Sequence, residues 1–323
     1  MFDNFNDIGE SVKCGEKGTL VVAAAAEGDL LRALAIANEL YLSRVILVGS
    51  RTKIETISRD ENIDVSNMEI IDVADTAAAC QKAVSLVHQG QADFIMKGLV
   101  DTSIFLKAVI NKAEGLMVGR LLSSIMMVRI TSYHKFLILS DGGMIIDPDL
   151  AKKQGIIANA VDFARLLGIS PIKVGCLAAK EKVNPKMPAT VDGAALKQLS
   201  QHQYFGTDVL VEGPIAMDLL ISKKAAQVKG YESEVAGDAD VIIMPNIETG
   251  NAIIKVMTHL GNAQLGGIVM GACAPIILTS RSDSYENKLN SIILGAFLTR
   301  KMDDCHQIRE EHQERNEAII NRK

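Results

Sequence analysis

The sequence predicts an α/β protein with two domains and largely parallel sheets, and three observations carry that expectation. Short apolar runs alternate with longer segments whose apolar residues recur at i, i+3, i+4 spacing, the rhythm of successive strand–helix–strand units. All seven prolines fall between Pro148 and Pro275, and Pro185, Pro214, Pro245 and Pro275 each lie just past an apolar strand. Proline cannot donate to a strand ladder, so these positions mark strand-to-loop exits, which in parallel sheets line the ligand crevice. The third observation is length: 323 residues make two domains the default.

In chain order, Thr19–Ala26, Arg44–Val48, Met68–Val73 and Asp93–Met96 read as buried strands, because each apolar run is too short for a helix. Asp29–Leu40 and Thr76–Gln89 carry helical periodicity between them. Lys97 and Gly98 close the fourth strand, and Asp101-Thr102 opens a helix over Ser103–Asn111. A second block has strands at Ser124–Ile130, Lys135–Leu139, Lys173–Ala178, Val209–Val211, Val241–Met244 and Gly266–Met270. Its helices are Lys152–Leu167, Asp192–Gln201, Asp218–Val228 and Thr249–His259. Last comes Ile276-Ile-Leu-Thr-Ser-Arg-Ser-Asp-Ser284, an apolar run that stops on polar residues, followed by helical spacing over Tyr285–Arg300. A strand therefore ends where a helix begins, with Ser280 and Arg281 at the junction. No internal repeat or low-complexity linker interrupts the chain.

Composition narrows the class of partner. A net charge of −5 and a pI of 5.7 disfavour nucleic acid, which selects basic surfaces. There is no basic apolar leader with a cleavage site and no long uncharged span, so a soluble cytoplasmic protein without a membrane partner is expected. Cys14, Cys80, Cys176, Cys273 and Cys305 are far apart and never in a CxxC pair. Cys176 and Cys273 sit in apolar runs and read as small core residues rather than nucleophiles. None of the six histidines forms an HxxxH pair, so no metal site is expected.

Several strand exits carry polar chemistry. Helix N-termini present unpaired N–H groups and partial positive charge, which suits anions, and Arg281 adds a planar fork for phosphate or carboxylate. Asp283 and Glu286 also fit a capping box, the commoner use of such residues. Lys97 supplies a point charge beside Gly98, which permits close backbone approach, although a plain glycine turn fits the same residues. Met244-Pro-Asn-Ile-Glu-Thr-Gly-Asn251 presents two asparagines and a carboxylate around Gly250, with Glu248 or Thr249 equally placed to cap the next helix. Asp141-Gly-Gly143 and Asp147-Pro148 fit turn chemistry. No GxGxxG dinucleotide loop stands in a strand–helix setting.

Five blocks in order resemble one family. They are Met96-Lys-Gly98 through Gly119-Arg120, Lys182-Val-Asn-Pro-Lys-Met-Pro-Ala-Thr-Val-Asp192, Val211-Glu-Gly-Pro-Ile-Ala-Met-Asp218, Pro245-Asn-Ile-Glu-Thr-Gly-Asn251 and Pro275-Ile-Ile-Leu-Thr-Ser-Arg281. Together they look like the phosphate acetyltransferase/phosphate butyryltransferase family over residues 15–300. The closing Thr-Ser-Arg-Ser-Asp-Ser form resembles the butyryl branch; the acetyl branch typically reads Ser-Arg-Gly-Cys-Ser there. The resemblance implies acyl-CoA + phosphate ⇌ acyl phosphate + CoA, with coenzyme A as substrate and product and no tightly bound cofactor. It also implies two α/β domains flanking a cleft, similar to the isocitrate/isopropylmalate dehydrogenase-like fold, and a homo-oligomer. The family's Ser-Arg pair maps onto Ser280 and Arg281. One departure stands out: acetyl-type members carry an aspartate base for the CoA thiol six residues after that arginine, and here the position is Asn287. Asp283 is the nearest carboxylate in the motif.

The reaction sets its own demands. As a phosphate oxygen attacks the thioester, charge develops on the carbonyl oxygen, and each preorganised donor there is typically worth roughly 2.7–4 kcal/mol. Thiols ordinarily titrate near about 8.5, so departure needs little acid help. Phosphate arrives ionised, so a strong base matters mainly for the reverse direction, and positioning two substrates is the larger demand. The expected assignment is Arg281 for phosphate, Ser280 for the carbonyl oxygen or thiol, and Asp283 as the third catalytic candidate. Lys97, Gly98, Thr102, Asn246, Glu248, Gly250 and Asn251 are expected to bind substrate. A shared cleft requires residues 1–131 and 268–323 to form one discontinuous domain and 132–267 an inserted one. Butyryl-CoA is the expected substrate, with acetyl-CoA the alternative. An NAD-dependent decarboxylating dehydrogenase and a non-catalytic CoA-binding paralogue are the other classes considered.

Overall fold

The computed structural model describes residues 2–301; Cys305 and the chain beyond it, expected in the first domain, lie outside them. The chain gathers into two compact units, each α/β. One comprises Ile8–Leu116, Ala274–Ile277 and the described part of the last segment, 292–301. The other comprises residues 2–7, Met117–Cys273 and Leu278–Ser291.

After α1 (Phe5–Lys13), the first unit runs β1 (Thr19–Ala23), α2 (Gly28–Leu40), β2 (Arg44–Gly49), α3 (Arg51–Asp60), β3 (Glu69–Asp72), α4 (Thr76–His88), β4 (Phe94–Lys97) and α5 (Thr102–Val109). The strands lie side by side as β3-β2-β1-β4, all parallel. Parallel strands covered on both faces must be apolar throughout, and Leu20, Val21, Val22, Val45, Leu47 and Ile95 are accordingly buried. The expected first strand reached Ala26; the structure ends it at Ala23, because Ala24 turns left-handed at φ 56°. Helices α1 and α3 are not among the elements expected from the sequence: both are short, at 9 and 10 residues, and polar between their few apolar positions. In α3 only Ile54 and Ser58 are buried.

The second unit holds β5 (Ser123–Arg129), β6 (Leu137–Ser140), α6 (Leu150–Leu166), β7 (Ile172–Leu177), α7 (Pro188–Gln201), β8 (Val209–Ile215), α8 (Met217–Ile221), α9 (Lys223–Lys229), β9 (Val241–Ile243), α10 (Ile247–His259) and β10 (Gln264–Met270). Its strands run in the order β10-β5-β6-β9-β7-β8. β6, β9, β7 and β8 are parallel, while β5 is antiparallel to β10 on one side and β6 on the other. Leu139, Ile242, Met244, Ile215, Leu219 and Ile254 share its core. Helix α7 starts at Pro188 rather than Asp192, since proline suits the first helical position, where no N–H bond is needed.

The chain then returns to the first unit as β11 (Ile276–Ile277), parallel to β4 with Ile276 opposite Ile95. The loop 278–284 follows, and α11 spans 285–301. Among the described residues no helix is long and apolar enough to cross a membrane.

Candidate functional site

The loop 278–284 in the second unit is held by its own polar groups. Asp283 Oδ2 accepts the Ser280 N–H at 2.7 Å, and the Asp283 N–H donates to the Ser280 carbonyl at 3.1 Å. Ser280 Oγ lies 3.0 Å from Ser282 Oγ. Lys288, in the first turn of α11 and only 1 % exposed, donates from Nζ to the Asp283 carbonyl at 2.5 Å. The backbone that carries Ser280 and Arg281 is thus cross-braced, and both residues are exposed on it. Asp283 uses its carboxylate to order that turn, as a capping residue does.

Asn287 is turned elsewhere. Its Oδ1 accepts the Leu265 N–H at 2.9 Å, Asn290 Nδ2 donates to the Leu265 carbonyl at 3.2 Å, and Ser291 Oγ accepts the Gly267 N–H at 2.9 Å. Spacing of i, i+3, i+4 puts the three side chains on one helix face. They satisfy β10 backbone groups on the side away from β5.

Helix α10 places the Pro245–Asn251 block. Asn246 is its N-cap, with Oδ1 accepting the Thr249 N–H at 3.0 Å, so this asparagine performs the capping that Glu248 or Thr249 was considered for. Gly250 is buried where a Cβ would stand 2.6 Å from the Gly142 Cα and 3.1 Å from the Asp141 carbonyl. Glycine there lets α10 approach the β6 exit. That exit is turn chemistry: the Asp141 carboxylate accepts from the Ser124, Gly143 and Met144 N–H groups, each at 2.8 Å. Glu248 and Asn251 are exposed. One turn beyond Asn251, Lys255 reaches the loop 278–284, its Nζ lying 3.4 Å from Ser282 Oγ.

The other flank of α10 borders a cavity of about 660 Å³. Asn246, Thr249 and Ile253 line it together with Ala178 past β7, Met187 before α7 and Ala216 past β8. Three of the blocks singled out in the sequence therefore meet at the carboxyl ends of β7, β8 and β9. Three of their carboxylates are paired locally. Asp192 binds the buried Lys153 at 2.6 Å, Glu212 binds Lys197 at 2.6 Å, and Asp218 binds Lys229 at 2.9 Å. Likewise Arg120, at the end of the first block, pairs with Asp162 at 2.8 Å.

In the first unit, Lys97 is buried, and its ammonium donates to the carbonyls of Gly98 at 3.2 Å and Val100 at 3.0 Å. Gly98 permits the expected close approach: its N–H meets the Ala23 carbonyl at 2.8 Å, and a Cβ would fall 2.3 Å from the Ala24 carbonyl oxygen. Thr102 opens α5 and is exposed. A separate cavity of about 380 Å³ lies at the exits of β1, β2 and β3, lined by Ala24, Ser50, Thr52 and Thr76.

Cys176 is buried as expected, and burial pushes its thiol up to about 12; burial also raises Cys80 to about 11. Neither is a nucleophile at neutral pH. Cys273, expected in the core, is exposed, because it falls in the turn after β10 rather than within the strand. Among the described residues no group of three or more His, Cys, Asp and Glu side chains is placed to hold a metal ion. Lys255 and Lys288 were missed in the sequence. Lys255 lies seven residues beyond Glu248, on the same helical face, but its partner loop follows 27 residues later.

Comparison with known proteins converges on one family. Residues 76–296 match the family described as phosphate acetyl/butaryl transferase. A phosphate butyryltransferase of Clostridium acetobutylicum is 40% identical over 298 residues, covering 92% of this chain and 99% of that protein. A phosphate acetyltransferase of Rhizobium meliloti is 35% identical over 276 residues, 85% of this chain and 87% of the relative. The crystal structure of a branched-chain phosphotransacylase from Enterococcus faecalis V583 superposes with a TM-score of 0.76 at 31% identity, covering 87% of this chain and 98% of that one.

Proposed function

The chain belongs to the phosphate acetyl/butaryl transferase family and is a phosphate acyltransferase, and on that premise we propose that it interconverts butyryl-CoA and phosphate with butyryl phosphate and CoA. A phosphate oxygen attacks the thioester carbonyl carbon, the C–S bond breaks, and CoA leaves as thiolate and takes a proton from solvent. No covalent enzyme intermediate is needed when both substrates are held together.

The braced loop carries the assignment of roles. Asp283 occupies the Ser280 N–H, so side chains supply the charge stabilisation in this reading. Arg281 binds phosphate through its planar fork, and the Ser280 hydroxyl hydrogen-bonds the carbonyl oxygen or the departing sulfur. Asp283 keeps these two in register. Glu248 and Asn251, exposed on α10, contact the substrates; Asn246 and Gly250 position that helix. Lys97 and Gly98 shape the β4 exit and Thr102 opens the helix after it, a backbone frame for substrate in the first unit.

Butyryl is preferred over acetyl in this proposal because the Thr-Ser-Arg-Ser-Asp-Ser form is supported by greater identity and coverage to a butyryl than to an acetyl relative. Each buried methylene contributes about 0.8 kcal/mol, so two extra carbons favour butyryl by roughly tenfold in kcat/KM. A thiol-release assay with phosphate across acetyl-, propionyl-, butyryl- and isobutyryl-CoA tests this. Equal or better use of acetyl-CoA reassigns the substrate to acetyl.

A further inference from the structure

We propose that Lys255 is a second cationic ligand for the phosphoryl oxygens bound at the Arg281 loop; this deepens the reading above and rests on it. Four observations on the second unit point to it. Its ammonium sits 3.4 Å from Ser282 Oγ, next in sequence to Arg281, which brings a second positive charge to the braced turn. Lys255 is partly buried, yet among the described residues that hydroxyl is its one hydrogen-bond partner and it forms no ion pair. Elsewhere in this unit Lys135, Lys153, Lys173 and Lys197 each rest on a carboxylate within 2.6 Å. Finally, Glu248, Asn251 and Lys255 share one flank of α10, while Ile253, roughly 200° round the axis from Lys255, faces the other way into the cavity.

A partly buried cation with no carboxylate partner of its own is better stabilised when an anion comes to it. The chain as a whole is acidic, at −5, so phosphate-bearing substrates need such local positive charge. On substrate arrival the ammonium exchanges a weak hydroxyl contact for a charge-assisted bond to a phosphoryl oxygen. Lysine suits this role because a compact charge on a flexible stem can follow phosphate, while the planar Arg281 fork fixes its orientation. Inorganic phosphate and the phosphates of CoA share the chemistry that Lys255 recognises.

Steady-state thiol release on the purified full chain separates the possibilities. Lys255→Met should raise an apparent KM by about tenfold with a smaller change in kcat, and Lys255→Arg should recover most of the loss. A rise in the phosphate KM identifies inorganic phosphate as the anion. A rise in the butyryl-CoA KM that disappears with 3′-dephospho-butyryl-CoA identifies the nucleotide 3′-phosphate. An active wild type whose Lys255→Met variant keeps both KM values overturns the inference, as does a lowered Tm with unchanged KM, which marks a mere brace. Failure of the underlying reaction shows separately, as a wild type that releases no thiol.

Discussion

Asn287 accepts the Leu265 N–H through Oδ1 at 2.9 Å, so the side chain at the position where the family resemblance leads one to expect a base is engaged with a strand backbone. Aspartate is an equally good acceptor for that N–H. Asn287→Asp should therefore leave thiol attack and phosphorolysis within about twofold of wild type. Asn287→Leu should lower stability by about 1–3 kcal/mol, the usual cost of a buried donor left unmade. Urea unfolding and two-direction kinetics decide; a selective acceleration of thiol attack in Asn287→Asp would show that the residue turns toward the substrate.

Arg281→Lys retains the charge and removes the planar fork. The apparent phosphate KM should rise and turnover should fall by at least about tenfold, equivalent to roughly 1.4 kcal/mol. Arg281 is exposed, so the melting temperature should stay close to that of wild type. Near-wild-type kinetics in a folded variant would remove Arg281 from the reaction.

Gly250→Ala tests the approach of α10 to the β6 exit. The added Cβ would stand 2.6 Å from the Gly142 Cα, a backbone atom that cannot swing aside. Overpacking of this kind typically costs about 1–3 kcal/mol. Lost stability accompanied by lost activity is expected, measured by urea unfolding and thiol release; an unchanged midpoint would mean the loop yields freely.

Asp238 should dominate one part of the acid response of the second unit. Burial alone would raise its carboxyl, but hydrogen bonds from Lys173 at 2.5 Å, His134 at 2.8 Å and the Lys135 ammonium at 3.1 Å hold it well below the ordinary carboxylate range. A group depressed in the folded state contributes its full stability above its unfolded pKa of about 3.9 and loses it as pH falls toward the folded value. Asp238→Asn should thus be less stable than wild type by about 1–3 kcal/mol between pH 5 and 7. The gap should shrink below about pH 4. A gap that is constant from pH 3 to 7 would dissociate Asp238 from the effect.

Local chemistry makes much of this protein legible from its residues alone. Apolar runs too short for helices mark the strands. Helical periodicity marks α2, α4, α6 and α10, and the polar stop after Ile276-Ile-Leu places Ser280 and Arg281 between a strand and a helix. Ordered motif blocks point to the family, because agreement at several separated segments does not depend on knowing how they pack. What the sequence leaves open concerns direction. Nothing in Ser-Asp-Ser-Tyr-Glu-Asn fixes that Asp283 folds back on the Ser280 N–H while Asn287 reaches for β10. Nor does the α10 sequence say that Lys255 meets a loop 27 residues later while Ile253 faces a cavity. Strand and helix periods follow from backbone geometry within a few residues. The partner of a polar side chain depends on which backbone groups the packed sheet leaves unpaired, and that is decided only when distant segments come together.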